Sequence, residues 1–294
     1  MRLDVFKLHN RCNASIKTLR KLGDSVTLGG QTHTFVDRGA NVLAVAHIDT
    51  VQSSRAFSVS KSRAVVRSPR LDDRLGVYTI LDVLPDLGIV TDILLCEDEE
   101  QGRSSAKHFT PPKDYRWIVE FDRGGEDVVN YDYADRAWDE TLESYFPTGL
   151  GWGSYTDICD LEDLCVKAFN VGVGYHNPHS LSAYCFTRDW WENVQRFAQF
   201  WADHKDTTFP HDPYSAPRYR RLSWDYAENW RYRPVVTKPY YLESSYTYEP
   251  IQAGADPDDG DWCPVCGHFY MDTNNLSYIH GLGVCQNCFR KEWR

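Results

Sequence analysis

No run in this sequence reaches the roughly 18 apolar residues that a membrane-spanning helix requires, so no membrane partner is expected. The opening MRLDVFKLHN sets Arg2, Asp4 and Lys7 among its apolar positions, unlike a secretory leader, and a cytoplasmic location is the expectation. A basic excess is missing as well. With a formal net charge of -10, most of the surface would repel a duplex or an anionic bilayer, so nucleic acid is not an expected partner. The local exception is Arg218, Arg220, Arg221, Arg231 and Arg233, interleaved with Tyr219, Trp224, Tyr226, Trp230 and Tyr232. That mixture can stack on bases, or pack an arm onto the rest of the chain by cation–π contacts. No internal repeat is visible.

Sustained apolar periodicity is absent from residues 206–261, which are crowded with Pro, Tyr, Asp and Arg and read as a linker or arm. That stretch divides the chain into a first domain over residues 1–205 and a small module over residues 262–294. In the first domain Val5, Leu8, Cys12, Ile16, Leu19 and Leu22 recur at helical spacing, predicting one helix over 3–22 that Gly23 ends. Residues 26–36 suit a hairpin across Leu28-Gly29-Gly30. Residues 41–46, 90–96, 117–121 and 166–173 read as buried strands, and 76–84, 135–146 and 189–204 as helices. The alternation predicts an α/β three-layer sandwich with a mixed, mainly parallel sheet, followed by an extended linker and the small C-terminal module.

Acidic and histidine residues fall at the carboxyl ends of those strands, where sites in open α/β sheets gather. The first strand runs into His47-Ile48-Asp49, the second into Glu97-Asp98-Glu99-Glu100, the third into Asp122, and the last toward His176 and His179. Leu71-Asp72-Asp73-Arg74 comes between the first two. Each cluster alone is ordinary solvated sequence. Together they mix carboxylate oxygens with imidazole nitrogens, a donor set suited to zinc, manganese or cobalt. Two such ions sharing a carboxylate can clamp and activate a water.

Taken in order, AHIDT (46–50), LDDRLG (71–76), EDEEQG (97–102), EFDRG (120–124) and YHNPHS (175–180) resemble the co-catalytic two-zinc exopeptidase clan. That clan includes zinc aminopeptidases, peptidase T, glutamate carboxypeptidases and aminoacylases. The resemblance covers about residues 40–200, and DDRLG with DEEQG is its most specific part. It implies that residues 1–205 form a catalytic domain hydrolysing a peptide or other amide bond in a peptide or acyl-amino-acid-like substrate. Two divalent ions are implied, zinc or alternatively manganese or cobalt. Carried over by motif, Asp72 bridges both ions, His47 and Asp122 complete one site, and Glu100 with a late histidine completes the other. Glu99 is then the general base, and Asp49 orients His47. The resemblance also implies a cis peptide after Asp72, while Asp73 and Arg74 read equally well as a local ion pair.

The late histidine is read as His179, whose His-Ser pair resembles the HSxxE ending of tetrahedral aminopeptidases, with His176 as the alternative. Ala183 stands where that pattern has Glu. A second departure is size: residues 123–178 leave no room for an inserted dimerisation or lid domain. The glycine-rich stretch 149–153 suits a loop bordering a cleft, with Trp152 and Asp157 as candidate substrate contacts, or an ordinary loop with a packed tryptophan.

Of nine cysteines, Cys263, Cys266, Cys285 and Cys288 form two CxxC pairs spaced like the ligands of a four-thiolate structural zinc site. They predict a small zinc ribbon after the extended linker, with no open coordination position. It suits contact with a macromolecular partner. The competing reading of the whole chain is an inactive peptidase fold that binds protein or nucleic acid through the ribbon and the Arg/aromatic arm. Against it stands the density of carboxylates, which is costly without cations.

Overall fold

The computed structural model describes residues 3–214 and four short strands between residues 261 and 285. Backbone contacts divide the chain into two compact units, Met1–Ser215 and Ala216–Arg294. The first unit begins with α1 (Val5–Asn13) and α2 (Ile16–Leu19), then β1 (Asp24–Leu28), β2 (Gln31–Val36), β3 (Val42–His47), β4 (Ser58–Val59) and β5 (Val65–Arg67). Helix α3 (Leu71–Tyr78) passes through one wide turn into α4 (Leu84–Asp86), followed by β6 (Asp92–Cys96), β7 (Trp117–Gly124) and β8 (Val128–Val129). Helix α5 (Arg136–Tyr145), β9 (Ala168–His176), β10 (Tyr184–Phe186) and α6 (Thr187–His204) complete it.

These strands form one ten-stranded sheet in the order β1-β2-β6-β3-β7-β9-β10-β5-β4, with β8 pairing β9. The four long central strands β6, β3, β7 and β9 run parallel, and the margins are antiparallel. The fold is thus α/β with a mixed sheet, parallel at its centre. All six residues of β3 are buried, as expected of a strand covered on both faces. On one face α3 and α6 meet at Tyr78 and Trp190, with ring centroids 5.8 Å apart, while Phe121 of β7 packs on Phe197 of α6 at 4.9 Å. Side chains alternate across a strand, so Glu120 points the other way, where its Oε2 accepts a hydrogen bond from Thr156 at 2.7 Å. That face is covered by short 3₁₀ turns at Ser105–His108 and Asp157–Asp160.

Gly29 and Gly30, both at positive φ, close the β1–β2 hairpin in two residues, the geometry that suits the right-handed twist of the strands. The helix predicted over 3–22 is instead broken. Ala14 is extended, and Ser15 caps a second helix by accepting the Thr18 N–H at 3.1 Å, a local bond that competes with helix continuation. The compact unit continues past residue 205, because Phe209 donates to the Arg116 carbonyl and accepts from Lys167, at 3.0 and 2.8 Å.

In the second unit β11 (Asp261–Trp262) pairs with β12 (Phe269–Tyr270), and β13 (Leu276–Ile279) with β14 (Leu282–Cys285), both antiparallel. The Arg/aromatic arm, Cys263, Cys266 and Cys288 lie outside the described residues, as does the side chain of Cys285. Among the described residues no helix is long and apolar enough to cross a membrane.

Candidate metal centre

The acidic and imidazole side chains of the centre are placed by the central strands, by the turns that follow them and by the break in α3. His47 is the last residue of β3, and pairing continues one step beyond it, with Ile48 donating to the Cys96 carbonyl at 2.8 Å. Asp122 sits at a register shift between β7 and β9, an irregularity of the kind that re-aims a side chain. Asn170 fills it, accepting from the Asp122 N–H at 2.9 Å and donating to the Asp122 carbonyl at 3.0 Å. After β6, Asp98 adopts the left-handed conformation that aspartate tolerates, and the chain turns to present Glu99 and Glu100. Asp72 and Asp73 are the non-helical residues inside α3, joined by a cis peptide. Gly76 lets this turn close: its N–H donates to Asp73 Oδ1 at 2.9 Å, and a Cβ there would collide with the Asp73 carboxylate and the Phe121 carbonyl.

These elements bring His47, Asp72, Asp122, Glu100 and His179 together as two groups that share Asp72. His47 Nε2 lies 3.0 Å from Asp72 Oδ1 and 3.5 Å from Asp122 Oδ2. His179 Nε2 lies 3.0 Å from Asp72 Oδ2 and 2.9 Å from Glu100 Oε2. The shared Asp72 thus offers one oxygen to each group. Glu99 stands beside them, its Oε2 3.9 Å from His47 Nε2. His47 Nδ1 lies 3.1 Å from the Asp49 carbonyl oxygen and 3.4 Å from Asp49 Oδ1. A carbonyl only accepts, so the hydrogen stays on Nδ1, and Nε2 is the nitrogen directed into the site.

The electrostatics are those of carboxylates crowded into a buried site. Burial, then the neighbouring Asp122, Asp157 and Asp72 carboxylates, pushes Glu99 up to about 9. Burial and Asp72 push Asp122 up to about 6, and the same two causes raise Glu100. Burial also disfavours charge on Asp72, yet hydrogen bonds from His179 and His47 hold its carboxyl below the usual range. Burial opposes protonation of His47, but Asp122, Asp49 and Asp72 raise it well above an ordinary imidazole. Two imidazole nitrogens face carboxylate oxygens, a set of mixed hard and borderline donors that suits a dication in each group. The residues present fit two divalent ions.

One of the predicted positions lies elsewhere. His176 remains within β9, paired with Tyr184 and stacked on its ring at 4.8 Å, away from both groups. Asp157, read from the sequence as a candidate substrate contact, is fully buried beside Glu99 and accepts a hydrogen bond from Ser104. Trp152 is 73% exposed. Arg74 does not pair with Asp73; its guanidinium donates to the carbonyls of Ile48 at 2.6 Å and Arg11 at 3.2 Å. Sequence reasoning passed over Asn170, Tyr175 and Gln52. Tyr175 donates to Asp122 Oδ1 at 3.1 Å, and Gln52 donates to the His179 carbonyl at 2.6 Å. For Asn170 a signal existed, a single polar residue inside the apolar run AFNVGVG; for Gln52 there was none.

No protein-family model and no curated protein matches this sequence. Solved structures with a similar course of backbone include the TET aminopeptidase of a marine-sediment Thaumarchaeota archaeon, 11% identical, with a TM-score of 0.49 over 66% of this chain and 95% of that one. The aminopeptidase PepT of Bacillus cereus is 10% identical, with a TM-score of 0.47 over 67% and 96%. The TET1 peptidase of Pyrococcus horikoshii, described as assembling into a tetrahedron or a large octahedral shell, is 13% identical, with a TM-score of 0.45 over 66% and 97%.

Proposed function

We propose that this chain is a metal-dependent hydrolase that cleaves a peptide or other amide bond, with Glu99 as general base. The observation that carries this reading is the shared Asp72, one oxygen in each of two donor groups, with Glu99 beside them. His47, Asp72 and Asp122 would hold one ion, and Asp72, Glu100 and His179 the other. Zinc ions bound there, or manganese or cobalt, would polarise the scissile carbonyl and ease deprotonation of the attacking water.

Glu99 accepts the proton of that water as the new C–O bond forms, and returns it to the leaving nitrogen as the C–N bond breaks. Burial and acidic neighbours raise Glu99; with dications in the two groups that rise would be offset, leaving the carboxylate ionised and able to accept the proton. Asp49 keeps His47 in the orientation that directs Nε2 inward. Trp152 is proposed as a substrate contact: it is exposed on a loop whose Gly151 abuts the Arg123–Asp127 pair just beyond Asp122. The substrate is a peptide or an acylated amino acid.

The test is metal analysis of the purified chain, followed by a panel of aminoacyl, dipeptide and N-acyl amino acid substrates with zinc, manganese or cobalt. Metal-dependent release of an amine is the expected result. A chain carrying both ions that cleaves no member of the panel would favour the inactive binding fold. We further propose that Cys263, Cys266, Cys285 and Cys288 hold one structural zinc, an assignment that rests on their spacing.

A further inference from the structure

The two donor groups are anchored very differently. His47 is fully buried at the end of a central strand, and Asp122 is gripped on both sides of its peptide by Asn170. His179, by contrast, is 54% exposed in the β9–β10 connection, at a positive φ, two residues after Asn177, which is also at positive φ. Its imidazole touches the carboxylates of Asp72 and Glu100, which are members of the site itself. The neighbouring bonds of Ser180 and Ser182 stay within the connection. What ties the main chain of His179 to another element is the Gln52 side-chain amide, donating to the His179 carbonyl at 2.6 Å.

Gln52 is itself held. Arg70 donates from Nε to the Gln52 carbonyl at 3.1 Å and from its terminal nitrogen to the Ser53 carbonyl at 2.9 Å, and Thr50 Oγ1 reaches the same Gln52 carbonyl at 3.2 Å. Arg70 lies two residues before the bridging Asp72. The same short segment contacts Glu100, because Val51 N–H donates to Glu100 Oε1 at 3.4 Å and Asp49 Oδ2 accepts the Glu100 N–H at 3.3 Å. Segment 49–53 therefore touches both residues that belong to the second group alone, and Arg70 links it to the flank of the residue that the groups share.

We propose that Gln52, braced by Arg70, is a positioning residue for the second group, setting His179 against Asp72 and Glu100 without acting on the His47–Asp122 side. This rests on the two-ion reading of the centre. Fixing the backbone of an exposed ligand limits the orientations it samples before a cation arrives, so removing the latch weakens one site of the two. The first site, built on buried strand ends, fills regardless.

The experiment is a Mn2+ titration of the metal-depleted full chain, following free Mn2+ by electron paramagnetic resonance. Manganese suits carboxylate and imidazole donors and competes poorly for thiolates, so the cysteine module does not obscure the result. The wild-type chain is expected to bind two Mn2+. Gln52→Met, which keeps size and removes the amide, should leave the tighter class unchanged and weaken the second about tenfold or more, the usual scale for a lost supporting contact. Arg70→Met should act in the same direction. Ser54→Ala, which removes only a bond to the Ala56 N–H, should change neither class. Hydrolysis by Gln52→Met should fall at limiting metal and recover at excess metal. Two Mn2+ bound by Gln52→Met with unaltered affinities, or both classes weakened alike, would overturn the latch. Fewer than two Mn2+ in the wild-type chain would overturn the two-ion reading and the latch with it.

Discussion

Glu99 and Glu100 are adjacent and chemically alike, yet they stand differently toward the two donor groups. Glu100 lies 2.9 Å from His179 within a donor group, and Glu99 approaches His47 from outside both groups at 3.9 Å. Glu99→Gln should therefore retain both ions while turnover falls about 100- to 10,000-fold, the range for loss of a general base; metal content of the variant checks it, and loss of an ion would reverse the two roles. Asp72→Ala should lose at least one ion and most activity. The choice between His176 and His179 was open in the sequence because they stand only three positions apart after a strand. It turns on where β9 stops. His176 is still in register with Tyr184 and spends its ring on stacking, so His176→Ala should leave metal content intact whereas His179→Ala lowers it. Equal metal loss in both variants would contradict this assignment.

The elements legible in the sequence were those whose environment enforces one pattern. The runs at β3, β6, β7 and β9 are buried on both faces and read as continuous apolar stretches. Helix α5 is bounded by Asp135, which accepts the Trp138 N–H at 2.9 Å. The short marginal strands β4, β5, β8 and β10 have two or three residues each, too few for a period to register. The start of α3 was missed because Asp72 and Asp73 are non-helical. Gly76 has a steric role there that spacing alone does not reveal. Gly76→Ala should destabilise the chain by about 1–3 kcal/mol, the range for overpacking a filled site, and lower metal occupancy through displacement of Asp73; an unchanged melting temperature would contradict the close approach. The cysteine pairs predict an independent behaviour. Replacing Cys263 and Cys285 with Ser should release about one zinc per chain, with hydrolysis of small substrates preserved. Lost turnover on small substrates, with the other two ions kept, would make the ribbon part of the cleft.

Assembling many carboxylates around two imidazoles makes folding of the metal-free chain depend on pH in a definite direction. Glu99 sits near 9 instead of its ordinary 4.5, and Asp122, Glu100, His47 and His179 are also raised. The folded state then binds more protons than the unfolded one between about pH 5 and 9, so stability falls as pH rises through that window. Asp72, lowered from 3.8, works in the opposite sense only at more acidic pH and does not offset the fall. Thermal denaturation of the chelated protein should show a melting temperature that declines from pH 5.5 to 8.5. Added divalent metal should abolish the decline by taking the place of those protons; a flat profile without metal would contradict the buried carboxylate cluster. The measurement that bears most directly on the centre is anomalous diffraction at the zinc edge from crystals of the zinc-loaded chain. Two peaks should appear in the first unit, one among His47, Asp72 and Asp122 and one among Asp72, Glu100 and His179. A single peak there, or none touching Asp72, would refute the shared-carboxylate centre and the hydrolase built on it.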